Sequence, residues 1–289
     1  MEGCIVVVAK CPLPGTSKTR LAPLLGSEGA ASLARAMLSD VLVSLSALKV
    51  PKILLYAPGN MEGWNLMSEI LLELRLLKEW ILVPMIDDFT SSLTSSDLGT
   101  KLSAALLQAR AFSGAGGVVF VGMDSPELPL EEISYALYQA VTHNTAILCP
   151  AQDGGYGMLC VPRSASPSIF QGVEWSHPLT AVSQLKALTD ANIPIILGRL
   201  MYDVDEPKDV HFLARRLIIN RRSDGDDDDD NYNFGENGNE SPSCRPKGHL
   251  YQSSSGQTPS KPFCKYTWEA LVVQKMIVSD ENGLCHVMK

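Results

Sequence analysis

The sequence has no unbroken apolar run long enough to cross a membrane. Its longest, Ile70 to Ile86, is interrupted by Glu73, Arg75, Lys78 and Glu79, whereas a spanning helix needs about 20 apolar residues. No membrane span is therefore expected. A secretory signal is not expected either, because the apolar segment Ile5 to Ala9 is too short and no basic region precedes it. The seven cysteines (Cys4, Cys11, Cys149, Cys160, Cys244, Cys264 and Cys285) are odd in number, scattered and without a C-x-x-C pair. That argues against a disulfide framework and a thiolate metal site, and for a reducing, cytoplasmic setting. The five histidines lack zinc-ligand spacing. A basic face is also missing. The net charge is -8, with -5 of it on residues 1–220, so nucleic acid is not an expected partner. A true Walker A loop is absent too. Gly15-Thr16-Ser17-Lys18-Thr19 approaches one, but Pro12 stands at the first glycine position and Ser17 precedes the lysine.

Residues 1–220 alternate strand-like and helix-like segments, the pattern of an α/β fold with a mostly parallel sheet. Strands are predicted at Ile5 to Ala9, Ile53 to Tyr56, Trp80 to Val83, Val118 to Val121, Ala146 to Pro150 and Ile195 to Leu197. Helices are predicted over Ser27 to Leu48, Met61 to Lys78, Leu98 to Phe112 with Asp97 as N-cap, Glu131 to Val141, Thr180 to Ala191 and Pro207 to Ile219. This makes residues 1–220 one domain. Composition changes sharply after Asn220. Arg221 to Glu240 holds eight acidic and two basic residues, including five consecutive aspartates from Asp226. The stretch 221–262 is expected to be a disordered acidic and polar linker, since it has too little apolar surface to offset chain entropy. Residues 263–289 form a C-terminal segment with helical periodicity from Tyr266 to Val278, which either docks on the body or binds a protein partner.

Polar motifs follow the apolar runs, and in an open α/β sheet ligands bind beyond the carboxyl ends of the strands. After the first run come Lys10, Gly15, Lys18 and Arg20, on a loop stiffened by Pro12 and Pro14. A strand–loop–helix turn of this composition can cradle phosphates through backbone N–H groups and charge. Gly122-Met123-Asp124-Ser125-Pro126 puts a carboxylate at a strand end, a natural Mg²⁺ or Mn²⁺ ligand when phosphate oxygens complete the shell. Asp153-Gly154-Gly155-Tyr156 reads as a hairpin turn that also admits a ligand to the backbone. There Asp153 would orient or deprotonate a substrate, and Tyr156 would stack on a sugar or base. In Tyr202-Asp203-Val204-Asp205 one aspartate is expected to face the site, and Asp205 is the choice as second metal ligand. Glu174-Trp175-Ser176-His177 adds an aromatic loop, for which a packed core Trp is an equally good reading.

These motifs occur in an order that resembles a bacterial glycosyltransferase family of the nucleotide-diphospho-sugar transferase (GT-A-like) superfamily, some of whose members are assigned to arsenosugar biosynthesis. The matching elements are Lys10 to Leu21, Asp97-Leu98-Gly99, Gly122 to Pro129, Pro150 to Tyr156, Gly172 to Ser176 and Tyr202 to Asp209. Departures are Met123, Gly157 and His177, where the family tends to carry Thr, an aromatic and Thr. The resemblance implies a Rossmann-type three-layer sandwich and a donor held through a divalent metal on Asp124 and Asp205. It further implies phosphate or nucleotide contacts from Lys10, Gly15, Lys18, Arg20, Gly99 and Asp124. Substrate contacts would come from Gly154, Gly155, Tyr156, Trp175 and Ser176, and catalysis from Asp153, Lys18 and Arg20. The partners would be a nucleotide sugar or NTP and a small-molecule acceptor. Glycosyl transfer is the leading expectation. Nucleotidyl transfer from an NTP and a non-catalytic nucleotide-binding scaffold are the alternatives.

Overall fold

The computed structural model describes residues 3–85, 98–114, 116–223, 264–280 and 284–288. The expected Asp97 cap lies outside these residues, as does the expected linker 221–262 except for residues 221–223, which correct that boundary by closing the helix that begins at Pro207. A seven-stranded sheet is built from β1 (Gly3–Lys10), β2 (Lys52–Ala57), β3 (Trp80–Pro84), β4 (Gly117–Gly122), β5 (Ala146–Pro150), β6 (Tyr156–Pro162) and β7 (Ile195–Leu197), in the order β3-β2-β1-β4-β6-β5-β7. Strands β1, β2, β3 and β4 pair in parallel, as do β5 and β7. Only β6 is antiparallel to its neighbours. The α/β arrangement expected from the sequence is therefore the one observed, with β6 inserted between β4 and β5.

Continuous apolar strands such as Ile5-Val6-Val7-Val8 arise because both faces of such a sheet are covered. Ile5, Val7 and Ala9 pack on one side with α1 (Ala22–Ser46), α2 (Met61–Glu73) and α4 (Leu130–Thr142). Cys4 and Val6 point to the other side, to α3 (Leu98–Ser113), α5 (Thr180–Asp190) and the 3-10 turn at Pro167–Phe170. These make three layers.

The long α1 is apolar on more than one face because it carries a second core on its far side. There Leu33 and Met37 meet Leu213 and Leu217 of α6 (Pro207–Ser223), and Trp268 and Leu271 of α7 (Lys265–Val273). Asp40 of α1 is almost fully buried and accepts the backbone N–H groups of Tyr266 (3.0 Å) and Thr267 (2.7 Å), serving as a cap supplied by a neighbouring helix. Cys264 Sγ donates to the Pro126 carbonyl, Gln274 Nε2 to that of Gly29, and the Arg221 guanidinium lies 4.7 Å from the Trp268 ring centroid. Of the two placements open from sequence, the described residues of the C-terminal segment take the one against the body.

Two helices stop earlier than their periodicity predicts. Arg75 (φ 60°) ends α2, and Lys275 (φ 58°) ends α7. At each, two N–H groups turn back to helix carbonyls: Arg75 to Leu72 and Leu76 to Leu71, then Lys275 to Val272 and Met276 to Leu271. These are Schellman endings. Their left-handed position usually carries glycine, so Arg and Lys there concealed the stops. After α7 the chain forms two short antiparallel strands, β8 (Ile277–Ser279) and β9 (Cys285–Val287), rather than more helix.

Candidate functional site

The loop after β1 folds on itself before it reaches Lys18. Thr16 and Ser17 both donate their N–H groups to the Leu13 carbonyl, and Gly15 supplies the positive φ (74°) of the turn. Those two N–H groups are thus already used within the loop and do not form the backbone phosphate cradle expected from sequence. Lys18 itself has φ 49° and ψ 43°, an uncommon left-handed conformation for a lysine, which aims its side chain inward. That side chain is 7% exposed, and its Nζ lies 2.9 Å from Asp124 Oδ1 and 2.7 Å from Asp205 Oδ1. Burial would lower the Lys18 pKa, but the two carboxylates outweigh burial and hold it above the ordinary lysine value.

Asp124 follows β4, the parallel neighbour of β1, and caps no helix: α4 has Pro129 at its N-cap position and no side-chain cap. Arg216 of α6 steadies this turn. It pairs with Glu127 (2.7 Å) and lies over the Tyr202 ring (4.8 Å). Asp205 precedes α6, where the cap is made by Asp209, whose carboxylate accepts from the N–H groups of Asp205 and Glu206. The Asp205 carboxylate is thereby left to the site.

Asp203 corrects the reading from sequence. Residues two apart on an extended chain share a face, so Asp203 and Asp205 both face the site while Val204 between them is fully buried. With Asp153 they form a cluster whose carboxylate oxygens lie within 4.8 Å of one another. Asp153 comes from the β5–β6 turn and is steadied by the Gly155 N–H, 2.8 Å from its Oδ1. Hard oxygen donors in this number suit a divalent cation such as Mg²⁺ or Mn²⁺. Their mutual repulsion is visible on Asp203, whose pKa is raised from 3.8 to about 6 by burial first, then by Asp153 and Asp205, against Lys18. The folded protein consequently binds more protons than the unfolded chain between those two values. The stability cost of ionising Asp203 grows as pH rises through this window and is complete above it. Asp203→Asn is expected to remove that cost. The shift sets an upper bound of about 3 kcal/mol, and screening at this partly exposed position reduces it to about 1 kcal/mol, or roughly 2–4 °C in Tm. Thermal melts without added metal should show the gain at neutral pH and lose it below about pH 4.

The other expected residues fall into two groups. Lys10, Gly15 and Arg20 are exposed, and Glu206, whose pKa is lowered chiefly by its ion pair with Lys208, also feels the charge of Arg20. Gly99, Gly154, Tyr156 and Trp175 have packing partners. A Cβ on Gly99 would lie 2.3 Å from the Phe170 carbonyl oxygen, and one on Gly154 (φ 91°) 1.9 Å from that of Pro178. Tyr156 donates its hydroxyl to the fully buried Gln184 (3.1 Å) and meets Trp175 edge-on at 6.3 Å. Trp175 is half-buried against the core on the α3 and α5 side of the sheet, and its Nε1 has no hydrogen bond among the described residues. Ser176 is exposed with φ 56°. Gln184, which also donates to the Ile169 carbonyl, was not singled out from sequence. It lies inside an ordinary helical pattern.

The sequence matches a family model described as an uncharacterized protein conserved in bacteria (DUF2064) over residues 89–177. That span includes Asp124 and Asp153 but neither Lys18 nor Asp205. No curated protein matches the chain significantly. Among solved structures, it is similar to a candidate nucleotide-diphospho-sugar transferase from Desulfovibrio desulfuricans, with 27% identity and a TM-score of 0.65 over 74% of this chain and 87% of that one. It is more distantly similar to CMP:2-keto-3-deoxy-manno-octonic acid synthetase in complex with CTP (12% identity, TM-score 0.46, 76% of this chain and 100% of that one). A cytidylyltransferase from Leptospira borgpetersenii stands at a like distance (11%, 0.47, 76% and 87%). The α/β fold is thus that of the nucleotide-diphospho-sugar transferase superfamily.

Proposed function

We propose that the protein is a metal-dependent transferase that moves a glycosyl group from a nucleotide sugar to a small-molecule acceptor. The observation that carries this reading is the convergence of Lys18, Asp124, Asp153, Asp203 and Asp205 beyond the carboxyl ends of the sheet strands. The likeness to a candidate nucleotide-diphospho-sugar transferase supports it. A divalent metal held by the aspartates would supply charge to the departing nucleoside diphosphate. Lys18 and Arg20 are the cations available to the phosphates, with Lys10 and the Gly15 turn on the rim. In the reaction the bond from the anomeric carbon to the diphosphate breaks, and a bond to the acceptor oxygen forms. The hydroxyl proton passes to a carboxylate. Asp153, the most exposed of the clustered aspartates, is our choice for the group that takes it. Gly99, Gly154, Gly155, Tyr156, Trp175 and Ser176 would shape the walls of the substrate site.

The test is thermal unfolding against NTPs, nucleoside diphosphates and nucleotide sugars, each with and without Mn²⁺, for the parent and Asp124→Asn. Stabilisation by one nucleoside diphosphate or nucleotide sugar that needs both metal and Asp124 is expected. The stabilising donor then enters turnover assays with an acceptor panel, including arsenical precursors because of the family resemblance. Preference for an NTP with release of pyrophosphate would reassign the chemistry to nucleotidyl transfer. A protein that no nucleotide stabilises would be a scaffold.

A further inference from the structure

Lys18 is the feature that a phosphate-binding role alone leaves unexplained. A lysine waiting for phosphate would be expected to extend into solvent from its loop, as Arg20 does. Lys18 instead adopts a left-handed backbone, buries its stem, and places its ammonium between two carboxylates from separate parts of the sheet edge. Both partners are the aspartates assigned from sequence to the metal. One of them, Asp205, also belongs to the cluster with Asp153 and Asp203.

We propose that Lys18 is a built-in counter-ion holding the cation seat between Asp124 and Asp205, and that a divalent metal can bridge those two carboxylates only by exchange with it. The inference rests on the proposed nucleotide-dependent function in one respect only: the phosphates of the incoming donor are the anions that receive the released ammonium. The exchange follows from size and charge. Mg²⁺ holds oxygen at about 2.0–2.1 Å, shorter than either Lys18 contact, so the carboxylates would close around the metal and leave no room for an ammonium. A lysine withdrawn from them without an anionic partner would be a charge stranded beside low-dielectric walls, which is unfavourable. Metal alone therefore competes poorly with Lys18. Metal arriving with a diphosphate does not, because the ammonium it displaces from the carboxylates then pairs with phosphate oxygens instead of being left without an anion. Coupled binding of this kind would limit occupation of the aspartates by free divalent ions until the donor is present.

The experiment is titration of Mn²⁺, without nucleotide, into the full-length parent, Lys18→Asn, Lys18→Arg and Arg20→Gln. Asparagine is neutral and tolerates positive φ better than most residues, so the fold should be kept. Lys18→Asn should bind Mn²⁺ at least about tenfold more tightly than the parent. Lys18→Arg should remain near the parent, because its guanidinium can occupy the same seat. Arg20→Gln controls for the mere removal of a nearby positive charge and should change affinity by less than about threefold. Equal or weaker Mn²⁺ binding by Lys18→Asn overturns the proposal, as does a gain no larger than that of Arg20→Gln. Should Lys18→Asn not fold, the parent protein decides. Its Lys18 ammonium NMR signal, followed with diamagnetic Mg²⁺, must move at saturating metal, and a signal that stays put overturns the exchange. No detectable metal binding by any variant also overturns it. Because the Mn²⁺ arm contains no nucleotide, failure of the functional reading leaves a distinct mark: no nucleotide stabilises the parent even when the metal results come out as expected.

Discussion

Truncation after Ser223 is expected to lower Tm by roughly 6–12 °C, corresponding to a net loss on the order of 3 kcal/mol. Composition would have allowed everything after residue 220 to be an appendage, but the described residues 264–280 and 284–288 complete a core. Trp268, Leu271, Met276 and Ile277 are buried against Leu33 and Met37 of α1 and Leu213 and Leu217 of α6. Each such side chain contributes about 1.5–3 kcal/mol in gross terms, and the entropy of ordering the segment offsets a large part of the total. The same core contains Leu21, next to Arg20, and Val204, between Asp203 and Asp205. Truncation should therefore also weaken metal-dependent nucleotide binding, although none of the segment's described residues belongs to the acidic cluster or touches Lys18. Asp40→Ala is the point-mutant counterpart. It leaves the Tyr266 and Thr267 N–H groups without their acceptor, a loss of about 1–3 kcal/mol. Melting curves of the truncated protein superimposable on those of the full chain would show that the contacts are energetically idle.

Asp205→Asn is expected to weaken Mn²⁺ binding in the presence of the stabilising nucleotide, and to slow transfer, by at least about 100-fold. Among the described residues, Asp205 is the one carboxylate that both touches Lys18 and belongs to the cluster with Asp153 and Asp203. Its amide would keep the shape and lose the charge. Lys18 would keep Asp124 as a partner, and Asp203 would lose one of the negative charges that raise its pKa. Stability without metal should consequently change little while metal binding collapses. Isothermal titration together with turnover separates these effects. A variant that binds Mn²⁺ as the parent does would remove Asp205 from the metal site.

Legibility differed between elements for identifiable reasons. The central strands β1, β2, β4 and β5 are readable because strands buried on both faces are apolar throughout, whereas β6 is not among the predicted strands. The helices were readable as elements, but α2 and α7 ended early on Arg75 and Lys275, residues that carry no glycine-like stop signal. Asp124, Asp153, Lys18 and Asp205 were each singled out by position after an apolar run. Asp203 is the miss: one aspartate of the pair was expected at the site, whereas residues two apart in an extended segment share a face and both are there. The packing roles of Gly99 and Gly154 were hidden, since a glycine shows nothing of what approaches it, and both stand against backbone carbonyls from distant segments.

The sequence by itself determined the α/β alternation, the absence of an apolar run able to cross a membrane, and which acidic and basic side chains would stand after strands. These follow from periodicity, composition and local chain geometry. Only the tertiary structure decided that β6 separates β4 from β5 and that the C-terminal segment belongs to a core. The same holds for the turn of Lys18 away from solvent to bridge Asp124 and Asp205. Each of these depends on contacts between residues far apart in the chain, 187 positions in the case of Lys18 and Asp205. Such contacts are selected by the joint packing of many side chains, and no local pattern records them.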